Sequence, residues 1–318
     1  MSEEDRGRIA RDFRSFVEAA AAAPSPLYAE LSAAVADDDT ILDFLLGLPR
    51  SRQQPMLLFG AIAFLAGPPA APDELRAAIR DDGDRIRTTM LSRFTQTNEP
   101  ARCAALVTVL GDLDGPVGLV EVGSSAGLCL YPDRYSYEFD GRPVGPHSAV
   151  HLSTTTTGPV PVPDRLPRVA ARVGVDQNPL DPADPDDRAW LRALVWPGPN
   201  AAPRLERLDA AARIAAREPA TVLTGDLIDR LPEALEVLPA GCTPVVFHTA
   251  VLAYLERARR QEFADLVTSM GVRWIAQESA GIVPGIPADL GRPDSFVLSV
   301  DGRPAARTAP HGGRIDWL

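Results

Sequence analysis

From Val117 to Val300 the chain repeats one grammar: a short apolar run, a turn, an amphipathic stretch, then another apolar run. Runs at 117–122, 172–176, 221–224, 244–248, 272–277 and 295–300 read as strands. Helical spacing fills gaps at 185–194, 203–217, 227–238 and 251–270. Strand–helix alternation of this kind implies right-handed crossovers and a parallel sheet covered on both faces. After Val300, Asp301-Gly302 predicts a turn with positive φ and an antiparallel terminal hairpin.

The first 95 residues follow a different pattern. Ile9, Phe13, Phe16, Val17 and Ala20 recur at helical spacing, and Asp39 or Thr40 is placed to cap a short helix through Leu48. Gln54-Pro55 opens an apolar helix, and another runs from about Asp84 to Phe94. Thr97-Asn98-Glu99-Pro100 marks a further helix start, ending near Gly111. The expected organisation is a helical cap domain over 1–95 and a Rossmann-like α/β domain over 96–318. An insertion at 129–167 interrupts the latter, rich in proline and carrying the alternation Tyr135, Tyr137, Phe139 before an Asp140-Gly141 turn. It reads either as a lid or as a hairpin covering the sheet edge.

Composition excludes several chemistries. All 32 basic residues are arginine, so no lysine exists for a Schiff base, a phosphate-binding loop or a kinase site. A net charge of −11 argues against a general nucleic-acid binder. Cys103, Cys129 and Cys242, and His147, His151, His248 and His311, lack metal-ligand spacing, so no metal is expected. The acidic start lacks an export signal, and the apolar run at 55–69 is too short for a confident membrane span. A cytoplasmic protein acting on a small molecule, with no membrane partner, is the resulting expectation.

The first strand ends in Glu121-Val122-Gly123-Ser124-Ser125-Ala126-Gly127. A glycine turn between strand and helix lets backbone approach a ligand and aims N–H groups at it. The segment resembles motif I of class I S-adenosylmethionine methyltransferases, with Ser125 in place of the middle glycine, a substitution tolerable if that position avoids positive φ. Its last glycine falls four residues after the first, unlike the dinucleotide fingerprint. The resemblance implies S-adenosylmethionine as cofactor, with Glu121 near its cationic end and Gly123, Ser124, Ser125 and Gly127 along its backbone. Asp176, with Asn178 beside it, ends the second strand as a ribose acceptor would. Asp226 and Leu227 follow the third, where adenine contacts would fall. Gln96 and Asn98 are placed either to reach the methionine end or to cap their helix.

A broader resemblance runs through Gln96-Thr97-Asn98-Glu99, the 121–128 segment, Asp133-Arg134-Tyr135, 174–181, 190–197, Gly225-Asp226 and 246–255. These are similar to a prokaryotic family known as domain of unknown function 2332. It implies a methyltransferase-like fold, a mostly parallel sheet with an antiparallel C-terminal strand, and no particular substrate. Members usually carry Asn where this chain has Cys129, so Cys129 receives no role.

His248 ends the fourth strand and is the candidate for proton handling, since an unperturbed histidine titrates near pH 6.5. The alternative is a histidine that holds the loop by hydrogen bonds. Tyr254 reads as core. Trp196-Pro197 with Arg204, Arg207 and Arg213 forms either an anion site or a solvated face. Two further functions compete with methyl transfer: a non-catalytic nucleoside-binding module, and a serine hydrolase with Ser125 in a Gly-x-Ser-x-Gly elbow served by Asp226 or Asp301 and His311.

Overall fold

The computed structural model describes residues 3–22, 25–292 and 294–318; Met1 and Ser2 of the acidic start lie outside them. The chain opens with α1 (Glu3–Ala22), α2 (Pro26–Ala36), α3 (Asp39–Leu46), α4 (Pro55–Ala66) and α5 (Pro72–Ser92). A 3-10 turn at Pro100–Arg102 leads into α6 (Cys103–Leu110) and β1 (Pro116–Val122). Next come β2 (Ser136–Phe139), β3 (Arg142–Val144), β4 (His151–Thr157) and β5 (Arg168–Asp176). Helices α7 (Pro185–Ala193) and α8 (Ala201–Arg217) precede β6 (Thr221–Thr224), α9 (Leu227–Glu236) and β7 (Thr243–Thr249). The chain closes with α10 (Arg257–Ser269), β8 (Arg273–Glu278), β9 (Phe296–Val300), β10 (Arg303–Thr308) and β11 (Arg314–Trp317).

Two compact units result. One comprises Met1–Thr97 and Pro185–Glu206, the other Asn98–Asp184 and Arg207–Leu318. The first boundary falls close to residue 95, but α7 belongs with the helical unit, which the sequence reading did not foresee. Its side chains explain why. Trp190 is fully buried, sits edge-on to Phe64 at 5.8 Å, and donates its indole N–H to the Phe94 carbonyl at 2.9 Å. Gly60 on α4 makes the room, since a side chain there would collide with Leu194 and crowd Trp190. Trp196 packs 4.9 Å from Phe16, so it serves this core.

Local signals in the helical unit shift by small amounts. The cap of α3 is Asp38, whose carboxylate accepts from Thr40 and Ile41 N–H, and not Asp39 or Thr40. Helix α5 starts twelve residues before the expected Asp84, because a non-helical Asp82 (φ −123°, ψ 20°) kinks it. Only the stretch beyond the kink kept a readable period.

In the second unit, one sheet has the order β3-β2-β4-β11-β10-β9-β8-β7-β1-β5-β6 among the described residues. Strands β6, β5, β1, β7 and β8 are mutually parallel; β8–β9–β10–β11 continue as an antiparallel meander. The Asp301-Gly302 turn has the expected positive φ at both residues, 51° and 73°. The order reverses at β1, where the chain runs outward through β5 and β6 and then returns to β7 on the other side. In open α/β sheets such a switch point is where ligands bind.

The 129–167 segment is not a lid but an extension of the sheet. β2 and β3 form the hairpin closed by Asp140-Gly141, and β4, which carries the threonine run, bridges β2 to β11. Seven strand spacings of about 4.8 Å separate β2 from β1, roughly 34 Å if the sheet were flat. The nine residues from Gly127 to Ser136, mostly in 3-10 turns, reach roughly 22 Å. The sheet therefore curls, and the Tyr135 hydroxyl bonds the Leu128 carbonyl. Inside lies α6, buried over most of its surface, as a helix apolar all round must be.

Period-two alternation divides the faces. Val120, Val122, Val173, Val175, Val246 and Ala276 pack with Leu231 of α9 and Phe263 of α10. Glu121, Phe247 and Thr249 alternate with these and point to the other face.

Candidate functional site

The turn after β1 is tied internally. Gly123 and Ser124 N–H donate to the Val175 carbonyl at 2.7 and 3.2 Å, and Gly127 N–H to Ser124 at 2.7 Å. Asn98 clamps both ends, accepting from Leu128 N–H at 2.8 Å and donating to the Ser124 carbonyl at 3.0 Å. Its role is therefore to brace the turn. Gln96 belongs to the helical unit. The expected free N–H cradle is replaced by a self-satisfied loop, and no α-helix follows: residues 128–130 form a 3-10 turn. Gly123 makes room for the protein itself, because a side chain there would collide with Val251. Ser125 adopts φ 53°, so the condition under which serine would be tolerable in place of the motif's middle glycine is not met. Left-handed backbone costs a non-glycine residue about 1–2 kcal/mol.

What holds Ser125 there is Asp176. The Ser125 N–H donates to one Asp176 carboxylate oxygen and the Asn178 N–H to the other, both at 2.7 Å. Asp176 thus sits at a 9% exposed strand tip and ties the turn after β1 to the end of β5. At the tip of β6, Asp226 caps α9 through the Ile228 N–H at 2.9 Å and pairs with Arg259 at 2.7 Å. Partial burial opposes its ionisation, yet Ile228 and Arg259 hold its carboxyl below the ordinary aspartate range. Leu227, the first residue of α9, is buried.

His248 does not face the edge. Its ring is 0% exposed, lies 5.5 Å from Phe263, and has both nitrogens engaged. Trp274 donates its indole N–H to Nε2 at 3.0 Å, which leaves Nδ1 as the protonated nitrogen, donating to Glu278 at 2.8 Å. That same Glu278 oxygen accepts from Val251 and Leu252 N–H at 2.7 and 2.9 Å. His248 thus steadies the carboxylate that holds the loop after β7, and the loop-holding alternative fits while proton handling does not. In that loop Ala250 has φ 56°, so strained non-glycine residues stand on both sides of the strand-order reversal. Tyr254, expected in the core, is 72% exposed just beyond.

Beneath the turn, Glu121 is 2% exposed and its Oε2 has no partner. Burial, the neighbouring Cys129 and Asp176 push its carboxyl well above the usual range, against the opposing pull of Arg102. Sequence reasoning missed Arg102, which is 4% exposed and reaches the end of β7. Arg207, read as part of an anion site or a solvated face, pairs instead with buried Glu99 at 2.7 Å. Eight buried side-chain polar atoms lack a partner among the described residues, and half of them gather here: Glu121 Oε2, Ser124 Oγ, Ser125 Oγ and Glu278 Oε2. Each such atom costs about 1–3 kcal/mol, so their clustering makes this edge the candidate site. The Ser125 Oγ touches no base, which removes the geometry a hydrolase elbow needs.

Among the described residues no His, Cys, Asp and Glu group is arranged to hold a metal, and no helix is long and apolar enough to cross a membrane. The fold and edge define a mixed α/β protein with one large, mostly parallel sheet and an N-terminal helical region. The chain belongs to the family described as uncharacterized protein conserved in bacteria (DUF2332), whose model matches residues 10–317. No curated protein and no solved structure matches it.

Proposed function

We propose that this chain binds S-adenosylmethionine at the carboxyl edge of β1, β5 and β6 and transfers its methyl group to a small-molecule acceptor. The observation that carries the reading is the buried, unpartnered Oε2 of Glu121 below a turn whose N–H groups are nearly all engaged. A phosphate ligand needs free donors, as at a helix N-terminus. This edge offers acceptors instead, from Glu121, Asp176 and Asp226, and acceptors suit a nucleoside bearing hydroxyls, an amine and a positive charge.

Asp176 would take the ribose hydroxyls at the tip of β5. Asp226 and the Leu227 N–H would meet the base, and Glu121 the cationic end. When bound, the sulfonium supplies an activated methyl donor. The chain's own contribution is then positioning and exclusion of water, by the braced turn and the Glu278-held loop. Because His248 is enclosed, a second reading is a binding module that holds the same ligand without turnover.

Calorimetric titration with S-adenosylmethionine and S-adenosylhomocysteine tests the shared binding claim. Heats are expected for the wild type and should fall in Asp176→Ala; silence from both ligands rejects both readings. Methyl incorporation into small-molecule acceptors separates the enzyme from the module.

A further inference from the structure

Cys103 opens α6 and Cys129 stands in the 3-10 turn after Gly127; both are buried, at 0% and 2% exposure. Each sulfur lies against the other's segment. The Cys103 thiol donates to the Cys129 carbonyl at 3.5 Å. The Cys129 thiol donates to the carbonyl of Glu99, four residues before Cys103, at 3.4 Å. The two thiols also hydrogen-bond one another. Cys242 stands apart, partly exposed and bonded to the Pro239 carbonyl of its own turn at 3.1 Å.

A buried cysteine packs as a small hydrophobe and needs no polar partner, so packing alone does not call for two sulfurs to meet. A disulfide needs Cα atoms within about 7 Å and side chains that converge. Thiols that share a hydrogen bond converge already. The Cys103 contact, and then burial, hold the proton on Cys129 well above the usual thiol range, over the opposing pull of Arg102. Because the thiolate is the species that oxidises, the pair closes slowly, and the same burial shields a closed bond from reductants. That is the behaviour of a staple and not of a fast sensor.

We propose that Cys103 and Cys129 form a site of oxidative modification, closing to a disulfide that pins the turn after β1 to α6 when a hydroperoxide is the oxidant. Two S–H bonds break and one S–S bond forms. The two protons and two electrons released cleave the O–O bond of one hydroperoxide, giving two waters from hydrogen peroxide. The new bond does covalently what Asn98 does by hydrogen bonds, since it joins the segment before β1 to the residues after Gly127. In a reducing compartment the pair stays a dithiol. The inference uses other atoms than the nucleoside reading and stands or falls without it.

The absence of lysine makes the test direct. Cleavage after arginine leaves both sulfurs on one peptide, 103–134, which contains no methionine and excludes Cys242. Native protein is incubated with hydrogen peroxide, unfolded in iodoacetamide and digested without reductant. The peptide should be two hydrogens lighter and take up no alkyl group, whereas the untreated sample takes up two. The treated protein should melt about 5 °C or more above Cys129→Ser given the same treatment, and a reductant applied to the unfolded chain should restore both thiols. Two alkyl groups after peroxide, oxygen added to either sulfur, a bond to Cys242, or no gain in Tm over Cys129→Ser overturns the staple. Should Cys129→Ser no longer melt cooperatively, the untreated wild type is the reference for the same Tm gain.

Discussion

At the residue scale, the turn after β1 concentrates strain and unmet polarity in a few atoms. Ser125 stands at φ 53° because Asp176 takes its N–H, so the cost is local and removable. Ser125→Gly relieves about 1–2 kcal/mol of left-handed strain against about 0.5–1 kcal/mol of added backbone entropy. The variant should therefore be more stable by up to about 1 kcal/mol, seen as a higher Tm. A lower Tm would mean that the Oγ has a partner after all. Glu121 gives a pH signature. Its carboxyl is raised in the folded chain, chiefly by burial and then by Cys129. The native state thus holds this proton at pH values where the unfolded chain has released it. Its contribution is present below the ordinary glutamate range, near pH 4, and is lost as pH rises toward the elevated native value. Glu121→Gln should flatten that decline in denaturation measured from pH 4 to 8. Parallel curves for the two proteins would place the proton elsewhere.

At the scale of elements, the loop after β7 depends on one carboxylate. Glu278→Ala leaves the Val251 and Leu252 N–H groups and His248 Nδ1 without their acceptor in a buried setting. A loss of about 3–5 kcal/mol is expected in chemical denaturation, as for other broken buried pairs. A loss below 1 kcal/mol would show that the loop does not rely on it. How much of this was legible differs between elements for physical reasons. Buried parallel strands such as β1 and β7 announce themselves as unbroken apolar runs with a turn behind them. β4 and β11 do not. β11 has only four residues and β4 is largely polar, becoming a strand where Thr155 and Gly313, 158 residues apart, meet. The acids Asp176 and Asp226 were readable from their places at strand ends. That Asp176 would grip the Ser125 N–H was not, because the contact joins two strand tips rather than neighbours in sequence. Arg102 carried no signal in the sequence. Only the curl of the sheet brings it to Thr249 and Pro310, and no local pattern encodes the curl. His248 was legible as a strand-end residue, but period two gives alternation and not its phase, so nothing local tells that its ring turns toward Phe263 and Trp274.

At the scale of the whole molecule, the helical unit is not one stretch of chain. Its aromatic core takes Phe13, Phe16, Tyr28, Phe59 and Phe64 from the first 97 residues, but Trp190 and Trp196 from a segment almost a hundred residues later. The Trp190 indole also satisfies the Phe94 carbonyl, and Arg93 pairs with both Asp186 and Asp187 at the start of α7. Cutting the chain at residue 97 would therefore remove two of the largest side chains from a small core and expose Gly60 and Phe64 where α7 had packed. Loss of one large buried aromatic costs about 3–5 kcal/mol, and whole domains are stable by only about 5–15 kcal/mol. A 1–97 fragment should accordingly keep helical far-ultraviolet dichroism while losing near-ultraviolet signal and cooperative melting, the signature of collapse without fixed packing. Supplying residues 185–206 through a short linker should restore a cooperative transition. If 1–97 melts sharply on its own, α7 is a passenger of that unit, and the sequence boundary near residue 95 is the true edge of an independent fold.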